Sequence, residues 1–348
     1  MRILYLAIDQ RVPGTTGGPV HVAQVATGLA ALGHEVHVAI TPGKETLPDS
    51  PVHWHFIRPP LGWRQLRWMR LRRVEALARE LRADVVIERY YNFGGEGVWA
   101  ATRTGALAVL EVNAPIIDHP GSLKRWIDRA LVFEPMRRWR EWQCRHTNLF
   151  VTPSTNILPQ WVERHRVIRL EWGADTARFT PEARGDVPFQ RETGDTVVVF
   201  AGAFRPWHGA VHLVRAISRL RSRGRNDIKA IFVGDGPELG RVRRAAAGVK
   251  GIVFVGRLSH GRMPACLAAA DIGVAPFDVE AHGPLQLDFY WSPLKVFEYM
   301  AAGLPVIVPN IERLSKLCRD GREGFTYAAN DADGLANAIE RLADASNR

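Results

Sequence analysis

The chain has 348 residues, 46% of them hydrophobic and 24% charged. That is globular composition with apolar mass for about two domains of roughly 150 residues, and it excludes disordered, collagenous and coiled-coil classes. Lysine and arginine outnumber aspartate and glutamate 46 to 36, a net charge of +10, so an anionic partner is favoured. Three cysteines (Cys144, Cys266, Cys318) stand far apart with no CxxC pair. This argues against a zinc ribbon or disulfide framework and for a reduced, cytoplasmic compartment. No run approaches the roughly 20 apolar residues of a spanning helix. The opening MRILYLAIDQR meets Asp9 and Arg11 too soon for a secretory signal and reads as a buried strand.

In chain order, apolar runs at 3–8, 36–40, 84–87 and 108–112 predict strands. A polar, glycine-bearing loop at 9–18 leads into a helix opened by Pro19. Val22, Val25, Ala26 and Leu29 form its apolar side, and Gly33 lies just past its end. The rhythm restarts with a strand at 196–200, a glycine-bearing loop at 202–209, and a helix over 210–220 with Leu213, Ile217 and Leu220 on one face. Strands are predicted again at 229–233, 252–255, 272–275 and 305–308. Such βαβ alternation predicts an α/β protein with two Rossmann-like halves. The charged stretch TPEARGDVPFQRETG, 180–194, reads as the linker between domains 1–179 and 195–348.

Two stretches, PPLGWRQLRWMRLRR (59–73) and LKRWIDRALVFEPMRRWREWQCR (123–145), mix arginine with tryptophan. One reading is a pair of solvated helices whose Trp and Leu face the core. The other is a peripheral membrane patch, with Arg and Lys on anionic head groups and Trp at the interface. Nucleic acid is not expected, because no zinc finger, RNP-type aromatic pattern or recognition helix is present.

The segment most suggestive of chemistry is SPLKVFEYMAAGLPVIV, 292–308. Ser292 can cap a helix, Pro293 fits its first turn and Gly303 ends it. A helix start presents amide N–H groups and partial positive charge to a phosphate, and Lys295 adds a full charge. Glu298, three residues on, shares its face and can accept two hydrogen bonds from ribose hydroxyls. The competing reading is a surface Lys–Glu pair on a packed helix.

This segment resembles the nucleotide-sugar site of retaining glycosyltransferases with two Rossmann-like domains facing each other across a cleft, the GT-B type of family 4 (group 1). Further matches span most of the chain. Gly17, Gly18 and His21 resemble the family's N-terminal glycine loop. EWGADTARFTPE (171–182) resembles the segment before its second domain, and AGAFRPWHG (201–209) the loop after that domain's first strand. VGDGPE (233–238) and FVGRLSHGRMPACLAAADIGVAPF (254–277) resemble its middle signature. The resemblance implies a nucleotide-diphosphate sugar with the base near Arg257 and Leu258 and the ribose on Glu298. The diphosphate would lie on the helix start at Ser292, Leu294 and Lys295, joined by Arg205 and His208. Gly17 and Gly18 would let the backbone approach the phosphate. It further implies retention, no metal cofactor, a hexosyl-type transfer, and a glycan or lipid-linked acceptor bound by the N-terminal domain.

The chain departs from the family pattern at four columns. Tyr290 stands where a first glutamate is usual, with Asp288 nearby. Ala203 and His208 stand where an arginine and a lysine are usual, so Arg205 is expected to take over the phosphate contact, with His208 either a weaker contact or a loop-capping histidine beside Trp207. Asn113 replaces a histidine, which leaves little side-chain base catalysis; His119 is the nearby candidate, and the leaving phosphate is expected to take the acceptor proton. Glu88 and Glu111, at predicted strand ends, are candidate acceptor contacts, with Glu111 alternatively a strand residue paired to an arginine. GDGPELG (234–240) misplaces the last glycine of a dinucleotide fingerprint, and Asp331 and Asp333 read as a helix cap rather than a metal pair. A nucleotide-sugar epimerase of the same architecture, a non-catalytic protein binding anionic surfaces, and an inactive protein keeping the fold remain the alternatives.

Overall fold

The computed structural model describes residues 1–14, 17–43, 47, 50–119, 122–131, 133–287 and 289–346; Asp288 lies outside them. The chain divides into two compact units, Met1–Glu171 and Trp172–Arg348.

Among the described residues the first unit has seven parallel strands: β1 (Arg2–Val12), β2 (Glu35–Pro42), β3 (His53–Phe56), β4 (Val85–Arg89), β5 (Leu107–Glu111), β6 (Leu149–Thr152) and β7 (Val167–Arg169), in the order β3-β2-β1-β4-β5-β6-β7. The second has β8 (Thr196–Ala201), β9 (Ile228–Val233), β10 (Ile252–Gly256), β11 (Ile272–Val274), β12 (Val306–Pro309) and β13 (Gly324–Tyr327), in the order β10-β9-β8-β11-β12-β13. Both are α/β Rossmann-like sheets. Their central strands are apolar on both faces, as helices on each side of a parallel sheet require. Leu4 to Ala7 and Val197 to Phe200 are fully buried. In each sheet the order reverses beside the first strand, at β1/β4 and at β8/β11. The carboxyl ends of strands at such a reversal are where ligands bind in this architecture.

The expected elements all occur, with shifted ends. The helix expected to open at Pro19 begins at Gly17 and runs to Ala31, and Gly33 takes a left-handed φ of 83° after it. Four strands escaped the sequence reading: β3, β6, β7 and β13. Each has three or four residues, and β3, β7 and β13 lie at sheet edges, where an apolar run is too short to stand out. The stretch 180–194 lies in the second unit, because its neighbourhood is tied there. Phe179 is buried against His260, Arg191 pairs with Asp271 at 3.0 Å, and Asp186 pairs with Arg262.

Candidate donor site and the charged clusters of the two units

In the second unit the helix Leu294–Ala301 follows β11 and its loop. Helix-compatible residues fill it, Val296 and Tyr299 anchor it in the core, and the Tyr299 hydroxyl accepts a hydrogen bond from Ala201 N–H at 2.7 Å. That bond fixes the helix start beside the carboxyl end of β8. The cap differs from expectation. Pro293 occupies the capping position, where it offers no side-chain hydrogen bond to the helix. The Ser292 hydroxyl instead accepts from Trp172 N–H at 2.9 Å, so Ser292 ties down the start of the unit. Leu294 is half-buried there.

Lys295 is not half of a surface pair. It is 9% exposed, and its Nζ has no hydrogen-bond partner among the described residues. The ammonium lies 4.4 Å from the Phe200 ring centroid and 5.2 Å from that of Phe277. Cation–π attraction offsets only part of the lost hydration. Burial pushes its pKa down to about 7, with Glu298 pulling the other way. Burial likewise raises the half-buried Glu298 to about 7 against the pull of Lys295. A buried cation without an acceptor is among the costlier arrangements in a protein.

Gly202, at the end of β8, explains how the ammonium reaches this spot. Its φ is 151°, and a Cβ there would lie 2.8 Å from Lys295 Nζ and 3.3 Å from His208 Nδ1. Both nitrogens therefore fill the space above this glycine. His208 Nδ1 is buried without a hydrogen-bond partner among the described residues as well, and burial, then Lys295, drives the imidazole pKa down to about 2. The ring is a neutral hydrogen-bonding group beside Lys295, not a second cation.

The remaining expected donor residues are spread more widely. Arg205 is exposed, with its guanidinium 5.9 Å from the Trp207 ring, and it lines a cavity of about 300 Å³ with Arg215 and Arg241. Arg257 is exposed and approaches Asp235 at 3.6 Å, while Leu258 is buried. The GDG turn packs on the Gly202 loop: a Cβ at Gly234 would meet the Gly202 carbonyl, and one at Gly236 the Phe204 backbone. Asp331 accepts from the amides of Asp333 and Gly334 at 3.0 Å, the helix cap expected of it. Tyr290, 2% exposed, is a packed residue against Trp291.

The first unit handles its buried charges differently. Glu111, at the end of β5, accepts from the Tyr5 hydroxyl at 2.6 Å and from Asn113 Nδ2, and meets His21 Nε2 at 2.7 Å. Burial works to raise its pKa; His21, Arg89 and Tyr5 overcome that and leave it at about 2. The expected arginine partner is thus a histidine, a tyrosine and an amide. Glu88, proposed from sequence as an acceptor contact, is a buried helix cap, accepting from Gly97 N–H at 2.8 Å and Val98 N–H at 3.0 Å. Its other oxygen faces Arg67 at 3.5 Å.

Arg67, from the first Arg/Trp stretch, is fully buried. It pairs with Glu96 at 2.5 Å and with Asp9 at 3.3 Å, while Arg89 pairs with Asp9 at 2.7 Å. No spacing signal marks this arginine among its exposed neighbours. Asn113 keeps a buried, unpartnered Oδ1; His119 is half-buried; Gly17 and Gly18 form the first turn of their helix.

The solvated-helix reading of the Arg/Trp stretches holds only in part. Trp139 and Trp142 stack at 4.8 Å and Arg140 grips Asp118 through two bonds of 2.8 and 2.7 Å. Leu61, Trp63, Trp68 and Met69 in one stretch, and Leu123, Trp126 and Phe133 in the other, face solvent; Leu61 is 86% and Trp126 73% exposed.

Comparison with known proteins agrees with this architecture. The profile described as Glycosyltransferase Family 4 matches residues 15–178, and that of Glycosyl transferases group 1 matches residues 195–345. A glycogen synthase of Mycobacterium tuberculosis is 23% identical over 99% of this chain and 86% of its own length. The D-inositol 3-phosphate glycosyltransferase of Acidothermus cellulolyticus is 25% identical over 95% of this chain and 79% of its own. A Rickettsia africae glycosyltransferase superposes with a TM-score of 0.70 at 16% identity, covering 98% of this chain and 87% of that one. An Anabaena HepE protein in complex with UDP and glucose gives 0.69 at 16% identity, covering 100% and 91%.

The two matched profiles cover nearly all of the chain, and the protein belongs to the family 4 (group 1) glycosyltransferases. It is a nucleotide-sugar-dependent glycosyltransferase of the GT-B fold class. Epimerase and non-catalytic readings are not favoured by these matches.

Proposed function

We propose that the second unit binds a nucleotide-diphosphate sugar with its diphosphate on the start of the helix Leu294–Ala301, and that the sugar passes, with retention and without a metal ion, to an acceptor held by the first unit. The observation that carries this reading is Lys295. Its ammonium is buried, has no hydrogen-bond partner among the described residues, and reaches the end of β8 through the space that a side chain at Gly202 would fill. An anionic diphosphate supplies the acceptor. Glu298, one turn deeper, takes the ribose hydroxyls, and Arg257 and Leu258 flank the base. Arg205 swings from its exposed position onto the phosphate, since its guanidinium can bind two oxygens at once.

The chemistry follows from charge. The anomeric C–O bond breaks with its electron pair on the phosphate oxygen, leaving an oxocarbenium-like sugar. The acceptor oxygen bonds to the anomeric carbon on the face being vacated, and its proton passes to the departing phosphate. Lys295, Arg205 and the helix amides stabilise the developing negative charge, most strongly where water is excluded. Asn113 positions a hydroxyl without moving a proton.

The acceptor is proposed to be presented at an anionic lipid surface on the cytoplasmic side. Support comes from the exposed Trp, Leu and Phe side chains among arginines in 59–73 and 123–145. Further support comes from similarity to a phosphatidylinositol monomannoside mannosyltransferase of Mycolicibacterium smegmatis, 31% identical over 49% of this chain and 46% of its own.

Incubation with a panel of nucleotide sugars tests the reaction: nucleotide release that survives a chelator and disappears in Lys295→Ala supports it. Near-normal release by both Lys295→Ala and Glu298→Ala overturns the site.

A further inference from the structure

Three aromatic rings from two separate segments meet beside the Lys295 pocket. Trp207 comes from the loop after β8; His282 and Trp291 come from the segment between β11 and the helix Leu294–Ala301. Trp207 lies 4.3 Å from His282 and 5.5 Å from Trp291, and His282 stacks on Trp291 at 5.2 Å. All three are half-buried. Behind them Phe277 and Phe289, in contact at 5.0 Å, are buried. The arrangement is a front row of partly exposed rings on an apolar backing, rather than a core cluster.

Its place is informative. Phe277 touches both sides of the join: its ring is 5.2 Å from Lys295 Nζ and 6.2 Å from the His208 ring, which in turn meets Trp207 edge-on at 6.1 Å. In a nucleotide-diphosphate sugar the transferred sugar is bonded directly to the terminal phosphate. A diphosphate on Lys295 therefore carries its sugar within reach of this wall. The opposite end of the donor lies elsewhere: Arg257 follows β10, at the edge of the sheet, beyond β9 from β8, whereas the wall stands on the β8/β11 side.

We propose that Trp207, His282 and Trp291 form a stacking wall that holds the transferred sugar of the donor by one C–H face, and so act as specificity residues of the donor site. The proposal rests on the reading above that Lys295 takes the diphosphate. A pyranose carries hydroxyls on its edges and C–H groups across its faces. The electron-rich face of an aromatic ring attracts those C–H groups and shields them from water. A wall of this kind selects sugars with an uninterrupted C–H face over those with an axial hydroxyl pointing into it.

The test measures affinity of the full chain for UDP, GDP and ADP and for UDP-glucose, GDP-mannose and ADP-glucose, taking forward the pair that the wild type binds most tightly. Trp291→Leu and Trp207→Leu keep apolar volume and remove the ring; Trp291→Phe keeps a ring. The expected result is at least a tenfold weaker affinity for the nucleotide sugar in the leucine variants, a bare-nucleotide affinity within twofold of wild type, and recovery of most of the loss in Trp291→Phe. Equal weakening for bare nucleotide and nucleotide sugar overturns the proposal, because the wall then stacks the base or merely supports the loop. No weakening for either overturns it too. Should a leucine variant not fold, tryptophan fluorescence of the wild type decides. Stronger quenching by the nucleotide sugar than by the bare nucleotide supports the wall, and equal quenching contradicts it. Failure of the underlying reading looks different: no bare nucleotide binds, or Lys295→Ala binds it as well as wild type.

Discussion

Each unit buries ionisable groups at the carboxyl end of its sheet, and the two pair them to different degrees. In the first unit Arg67 is surrounded by Asp9, Glu88 and Glu96, and Glu111 by Tyr5, His21 and Asn113. In the second, Lys295 Nζ and His208 Nδ1 are buried with no hydrogen-bond partner among the described residues. Satisfied charges lock structure; unsatisfied ones are kept at a cost in stability, which a ligand recovers on binding. The contrast is one of degree, since Arg67 Nη2, Glu96 Oε2 and Asn113 Oδ1 also lack hydrogen bonds among the described residues, but only the second unit buries an ammonium with no carboxylate paired to it there; this is what the proposed anion site rests on.

The sharpest way to break this contrast is Lys295→Ala. Loss of one preorganised charge at a developing anion is expected to reduce transfer by about 10²–10³-fold in steady-state assays. The isosteric Lys295→Met is expected to raise the thermal midpoint while abolishing donor binding, by about 2–4 °C for each kcal/mol recovered. The direction follows from linkage. Above about pH 7 folded Lys295 has released a proton that the unfolded lysine still holds, so stability rises with pH from there toward the ordinary lysine range. Lys295→Met removes that rise.

Arg67→Met should do the reverse. It strands Glu96 in the interior and removes one partner each from Asp9, which keeps Arg89, and Glu88, which keeps its helix amides, and is expected to cost about 3–5 kcal/mol in denaturant melts, with donor affinity in the surviving folded protein unchanged. A mild loss there would show that the first unit's charges are not structural.

Donor affinity is expected to fall about tenfold per pH unit above about pH 7, as free Lys295 loses its proton, and to stay flat over the same range in Lys295→Arg. Glu298→Gln is expected to weaken nucleotide binding about tenfold, the scale of a charge-assisted hydrogen bond, measured by calorimetry at pH 8 where the wild-type carboxyl is ionised. The smallest effect on stability is expected at Trp126→Ser. This exposed side chain should change stability by no more than about 0.5 kcal/mol, yet reduce co-sedimentation with anionic vesicles.

What the sequence disclosed follows the same division. Strand–helix rhythm is a local pattern, so both sheets were legible, as was the helix bracketed by Pro293 and Gly303. The placement of Lys295 and Glu298 on one helix was legible because it depends only on spacing along that helix. Arg67 was not, because its burial depends on Asp9, Glu88 and Glu96, which converge only in the folded sheet. Both readings of the Arg/Trp stretch around it, a solvated helix and a membrane patch, set its arginines outside the core. Glu88 misled for a related reason: a glutamate at a strand end looks available until the glycine-rich turn at 94–97 brings its amides onto the carboxylate. The Trp207–His282–Trp291 wall likewise joins segments whose separation in sequence hides their contact.

One measurement bears most directly on the role of Lys295: the number of protons exchanged when a bare nucleoside diphosphate binds at pH 8, obtained from calorimetric enthalpies in buffers of different ionisation heat. With free Lys295 largely deprotonated and the bound diphosphate restoring its charge, the wild type should take up close to one proton per nucleotide, and Lys295→Met should neither take up a proton nor bind. Tight binding by the wild type with no proton uptake, or undiminished binding by Lys295→Met, would contradict the assignment.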